Sequence, residues 1–123
     1  MTLEEFFDTL IGDLKGRRLV PGDASRVVRG IAWEDAEAEG WLGPGEVVVT
    51  ARDTLDDGFL DDIVEGGAPA VVWRTKAEPQ AGTVRRIEEK GVGLAVVPPG
   101  VPLRRVVSVF GEGPKVPATD AAK

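Results

Sequence analysis

The 123-residue chain contains no cysteine, no histidine and no tyrosine. Without Cys it has no disulfides, no thiolate metal sites and no cysteine nucleophile. Without His it lacks the usual general base near neutral pH and the commonest transition-metal ligand. The hydroxyls that remain, on Ser25, Ser108 and scattered Thr, have no imidazole to activate them, and no Gly-x-Ser-x-Gly elbow is present. Neither a Gly-x-x-x-x-Gly-Lys-Ser/Thr nor a Gly-x-Gly-x-x-Gly stretch supplies a phosphate cradle. Long apolar runs are missing as well, so no membrane span is expected, and Met1 is not followed by a basic and then apolar leader. These absences lead to the expectation of a cytoplasmic non-enzyme with no catalytic residues, no metal site and no cofactor.

Basic charge is also in short supply. Fifteen Lys and Arg face 21 Asp and Glu, for a net charge of −6. Nucleic-acid binding rests on cations meeting phosphates, so direct binding to DNA or RNA is not expected. The composition otherwise suits one globular domain, 42% hydrophobic and 29% charged, of a length that can bury a core.

The sequence pattern centres on Trp41-Leu42-Gly43-Pro44-Gly45-Glu46-Val47-Val48-Val49-Thr50. A Gly-Pro-Gly turn precedes three consecutive Val residues, which read as a short strand buried on both faces. Before it, Leu3, Phe6, Phe7, Leu10, Ile11 and Leu14 recur at helical spacing. Thr2 and Glu5 suit a capping box, and Gly16 stands where a left-handed cap is expected. That apolar stripe packs on a sheet or on a second subunit. Arg17 to Val20 reads as a strand turned by Pro21-Gly22-Asp23. Val27 to Trp33 reads as another, with Val27, Arg29, Ile31 and Trp33 on one face and Val28, Gly30 and Ala32 on the other. Glu34 to Glu39 suits a short helix.

After the central strand the pattern alternates. Leu55 to Glu65 reads as a helix with Leu55, Phe59, Leu60, Ile63 and Val64 inward and Asp53 or Thr54 as its N-cap. Ala70 to Trp73 is a strand, Val84 to Lys90 a helix starting near Gln80, and Leu94 to Val97 a strand halted by Pro98-Pro99-Gly100. This succession predicts a single α/β domain of three layers, with a mostly parallel sheet of about five short strands and helices on both faces. Leu103 to Phe110 is open between helix and edge strand. Residues 1–110 form the expected domain, and residues 111–123 an expected disordered tail.

Two stretches, Arg26 to Glu34 and Trp41 to Thr50, resemble the N-terminal sensor domain of the purine catabolism regulatory protein family (PucR-type). The matching residues are Val20, Gly22, Arg26 with Val28, Glu34, Trp41-Leu42 and Gly45 to Thr50, and the resemblance extends more loosely from about Leu14 to Val109. Ala51-Arg52 stands where that family usually has Thr-Gly. The resemblance implies a sensor for a small metabolite, purine-like or another anion. In such regulators a separate helix-turn-helix region binds DNA. This chain stops before any such region, which suggests a stand-alone sensor-like domain or the sensor part of a longer regulator.

Parallel sheets bind ligands at the carboxyl ends of their strands. That edge would carry Thr50, Ala51, Arg52 and Asp53 after one strand, Arg74, Thr75 and Lys76 after the next, and Pro98 to Gly100 after the third. Arg52, Arg74 and Lys76 are candidates to hold an anion or the carbonyl edge of a purine-like ring, or else are solvated charges at strand ends. Trp41 is the aromatic placed to stack on a planar ligand. Glu34 and Glu46 are the acids within the family pattern. Glu46 would cap the turn beside Gly43 or Gly45, contact the ligand, or pair with Arg26 or Arg29. The acids Asp53, Asp56, Asp57, Asp61, Asp62 and Glu65 do not follow an EF-hand spacing and read as a solvated helix face. Expected partners are a small effector, a second copy of the chain in a homodimer, or another regulatory protein. The alternative is a ligand-free interaction or dimerisation module, or an accessory subunit of a metabolic enzyme.

Overall fold

In the computed structural model, residues 2–33, 42–76 and 78–101 are described. Glu34, Trp41, the helix expected over Glu34 to Glu39, the segment Leu103 to Phe110 and the tail 111–123 lie outside the described residues.

Helix α1, Leu3–Leu14, starts on the expected capping box. The Glu5 N–H donates to Thr2 Oγ1 at 3.3 Å, and the Thr2 N–H donates back to Glu5 Oε1 at 2.8 Å. Two of the orphan amides at the helix start are thereby satisfied. Its stripe of Leu3, Phe6, Phe7, Leu10 and Leu14 is buried, whereas Ile11 remains 37% exposed. Lys15, not Gly16, takes the left-handed cap at φ 57°. Gly16 serves a different need, since a Cβ there would lie 3.1 Å from Val97 Cγ1 and 3.3 Å from the Val96 carbonyl oxygen.

Five strands follow: β1 (Arg17–Val20), β2 (Gly30–Trp33), β3 (Glu46–Thr50), β4 (Ala70–Arg74) and β5 (Gly93–Val97). They form one sheet in the order β1-β5-β4-β3-β2. Strands β2 to β5 are mutually parallel, and β1 runs antiparallel along β5. Helices α2 (Asp57–Glu65) and α3 (Ala81–Glu89) make the crossovers from β3 to β4 and from β4 to β5. The chain is thus a single small α/β domain.

Alternation along the strands sorts two cores. Val47, Val49, Ala70, Val72, Ala95 and Val97 pack with α1, while Val48, Val71, Trp73 and Leu94 pack with Phe59, Leu60 and Ile63 of α2 and Ile87 of α3. Both faces are covered, which is why the strands read as unbroken apolar runs. Full burial of a Val, Leu or Phe contributes about 1.5–3 kcal/mol, against roughly 0–1 kcal/mol for an exposed ion pair. The two apolar layers therefore hold the fold.

The structure shifts some expected boundaries. Helix α2 begins at Asp57, and its N-cap is Asp56, whose Oδ1 accepts from the Phe59 N–H at 2.8 Å. Leu55 is already buried ahead of the helix, so its packing carries the extended segment past Asp53 and Thr54 before the first turn forms. Val64 is 41% exposed rather than inward, because Leu60 and Ile63 already fill that stripe. β2 is shorter than expected: Val27 is 59% exposed in an isolated antiparallel bridge to Thr2, and Val28 is buried with α1. Ile31 packs against that same layer, so the alternation expected from Val27 onward breaks before Gly30.

The turn after β1 requires glycine. Gly22 has φ 62°, and a Cβ there would sit 2.7 Å from the Gly93 amide nitrogen.

The acidic face of α2 is not left to solvent alone. Arg86 Nε lies 3.0 Å from Asp57 Oδ1, and Lys90 Nζ lies 2.7 Å from Asp61 Oδ1. Acids spaced four apart on α2 meet bases spaced four apart on and just after α3, which matches helices laid side by side on one sheet face. The hydrogen bond that Lys90 donates to the Asp61 carboxylate raises the Lys90 pKa. Among the described residues, no helix is long and apolar enough to cross a membrane.

Candidate functional site

The carboxyl ends of the parallel strands share one edge of the sheet. Because β1 is antiparallel, it contributes its first residue there, with Arg17 opposite Val96 of β5. Lys15 reaches the same edge through the left-handed turn that ends α1. The loop after β4 adds Thr75, Lys76 and Glu78. Together with the chain from Val96 to Pro99, these residues line a groove of about 330 Å³.

Three cations and one carboxylate thus face the groove of a protein that is acidic as a whole. Arg17 Nη2 donates to Glu78 Oε1 at 2.6 Å, across 61 residues of sequence. Both side chains remain exposed, at 56% and 69%. Lys15 and Lys76 have no carboxylate partner among the described residues. A concavity with surplus positive charge and buried Val96 and Val97 at its base is suited to an anionic group carried on an apolar body.

A second, narrower hollow of about 170 Å³ lies on the other side of the β4–α3 connection, lined by Asp53, Thr54, Trp73, Glu78, Pro79, Gln80 and Thr83. Glu78 borders both spaces.

The residues expected at the strand ends go to different places. Lys76 lines the groove. Arg52 turns toward α2, where its guanidinium carbon is 4.6 Å from the Phe59 ring centroid and its Nη2 is 3.7 Å from Asp56 Oδ2. Thr50 is buried, and its hydroxyl oxygen accepts from the Arg52 N–H at 3.1 Å. Arg74 is half-buried, and its Nε is shielded from solvent with no hydrogen-bond partner among the described residues. Trp73 points into the α2–α3 layer, so the next residue leaves the sheet on the α1 side. Arg52 and Arg74 therefore diverge across the sheet.

Glu46 stands at the opposite end of β3, about 13 Å from the carboxyl edge by strand rise. Its Oε1 accepts from the Gly43 N–H at 2.7 Å, closing the turn that feeds the strand. Arg26 donates instead to the Gly67 carbonyl oxygen at 3.0 Å. Arg29 lies against Gly45, whose φ is 81°.

Lys15, Arg17 and Glu78 were not singled out from the sequence, whereas Thr75 was placed at this edge with Arg74 and Lys76. Lys15 and Arg17 lie far from the helix–strand alternation in the chain, and only the antiparallel placement of β1 brings them to this edge. Among the described residues no group of three or more acids is gathered to hold a metal ion.

No protein-family model matches the chain, and no curated protein does. Among solved structures it is similar to the CBS and DRTGG domains of the regulatory region of Clostridium perfringens pyrophosphatase, solved with its activator diadenosine tetraphosphate. The TM-score is 0.58 at 11% sequence identity, covering 87% of this chain and 48% of that one. The chain thus spans about half the length of that structure. At this identity the similarity is one of fold.

Proposed function

We propose that this domain is a non-catalytic regulatory module that binds a small anionic effector in the groove at the carboxyl edge of its sheet. One observation carries the reading: Lys15, Arg17 and Lys76 converge on a concave surface although the chain is acidic overall. Parallel α/β sheets use that edge for ligands as a rule. The fold similarity to a regulatory region whose activator is a phosphate-rich nucleotide supports it, as does the PucR-like run Gly45 to Thr50. A cytoplasmic sensor, acting through a homodimer or a partner protein and without contacts of its own to nucleic acid or membrane, fits the same picture. The absence of His and Cys removes the commonest nucleophile–base pairs, in keeping with a binding role.

An interaction module built on α1 is less well supported, because Leu3, Phe6, Phe7 and Leu10 are fully buried against the sheet.

Thermal unfolding against purines, ureides and nucleotides tests the proposal, with light scattering for mass. An effector at a hundred times its dissociation constant stabilises the fold by about 2.7 kcal/mol. The expected pattern is a shift lost in Lys76→Ala and kept in Arg52→Ala. A shift indifferent to both Lys15→Ala and Lys76→Ala, or none with any compound, would overturn it.

A further inference from the structure

We propose that Glu78 is an internal counter-ion that makes the groove selective for phosphate over simple carboxylates. The inference rests on reading the groove as an anion site, and it adds which anion is favoured and why.

Arg17 begins β1, and Glu78 lies on the connection between β4 and α3. Their contact at 2.6 Å places a carboxylate on the groove's guanidinium before any ligand arrives. A carboxylate ligand entering there exchanges one carboxylate for another at Arg17. The exchange at Arg17 is nearly even, so little is gained. A phosphate monoester differs in two ways. It carries close to two negative charges near neutral pH, and it offers three acceptor oxygens. Those oxygens can engage Arg17 together with Lys15 and Lys76, which have no carboxylate partner among the described residues.

Displacing Glu78 is easy. Both partners are largely exposed, and exposed pairs of this kind are weak and screened by salt. The released side chain also has somewhere to go. Glu78 borders the neighbouring hollow, where Thr54, Gln80 and Thr83 carry hydroxyl and amide groups able to donate to a carboxylate, alongside the Asp53 carboxylate. Glu78 thus sets a threshold that a single carboxylate does not clear and a phosphate does.

Calorimetric titration of the full chain with inorganic pyrophosphate and with acetate, at low ionic strength, tests this. Wild type, Glu78→Gln and Lys76→Gln are compared, with circular dichroism to confirm that each folds. Expected is wild-type preference for pyrophosphate, and a Glu78→Gln variant that binds acetate about fivefold more tightly while pyrophosphate changes less, so that selectivity falls. Lys76→Gln should weaken both. If Glu78→Gln leaves the ratio of the two affinities unchanged while Lys76→Gln still weakens binding, the groove stands and the role of Glu78 is overturned. If neither anion binds to any of the three proteins, both the groove and its selectivity are overturned.

Discussion

The indole Nε1 of Trp73 donates a hydrogen bond to the backbone carbonyl oxygen of Arg52 at 2.7 Å. This contact ties the chain leaving β3 to the end of β4. It helps explain why the Arg52 side chain lies over Phe59 instead of facing the groove. With its peptide held under the indole and its N–H donated to Thr50, Arg52 leaves the sheet on the α2 side.

Replacing Trp73 by Phe removes the indole donor to the Arg52 carbonyl. Trp73 is only 6% exposed, so part of the indole volume becomes a void as well. The expected loss is about 1–3 kcal/mol in urea unfolding. An unchanged midpoint would show that the tie is incidental.

Glu46 closes the turn before the central strand, and its effect should be on stability and not on anion binding. Glu46→Ala leaves the Gly43 N–H without its acceptor at 2.7 Å and is expected to cost about 0.5–2 kcal/mol. Glu46→Gln keeps an acceptor oxygen and should recover most of that. If Glu46→Ala abolished pyrophosphate binding in a protein that still unfolds near the wild-type midpoint, a ligand role would replace the structural one.

Arg74 presents the opposite case. Its Nε is buried without a partner among the described residues, and leaving such a group unmatched costs about 1–3 kcal/mol. Arg74→Met keeps the length of the side chain and drops the guanidinium. The midpoint of chemical denaturation should stay level or rise. A drop of more than about 1 kcal/mol would mean the guanidinium has a stabilising partner.

Acid should erode stability through two carboxylates at helix and turn positions. The Thr2 backbone N–H, and then the Thr2 side chain, hold the Glu5 carboxyl below its ordinary value. The Ser25 hydroxyl, and then its N–H, do the same for Asp23. A depressed folded-state pKa gives stability that is present above the unfolded value and lost as pH falls through the folded one. Stability should therefore hold near neutrality and decline once pH falls below about 4. Lys90, raised by Asp61, behaves in the opposite sense: its contribution is complete below the ordinary lysine range and is lost as pH rises through its raised value. Denaturation midpoints measured across pH check this, and Glu5→Gln and Asp23→Asn should each flatten the acid limb.

The sequence by itself determined what short-range physics controls. The helical spacing of Leu3 to Leu14, the Thr2–Glu5 cap, the Gly-Pro-Gly turn and the unbroken Val runs each specify an element through local sterics, hydrogen bonding and burial period. Their alternation was enough to define a mostly parallel sheet with helices on both faces. Only the tertiary structure decided where the charges meet. Arg52 follows β3 by two residues while Arg74 ends β4, one position apart in the parallel register, and pleat parity with the Trp73 tie sends them to opposite faces. Lys15 and Arg17 gain their place because β1 pairs antiparallel with the far edge of the sheet, a choice made by long-range pairing that no local pattern records. The fold was legible because burial repeats along the chain, and the groove was not because its cations come from segments about sixty residues apart that only the sheet brings together.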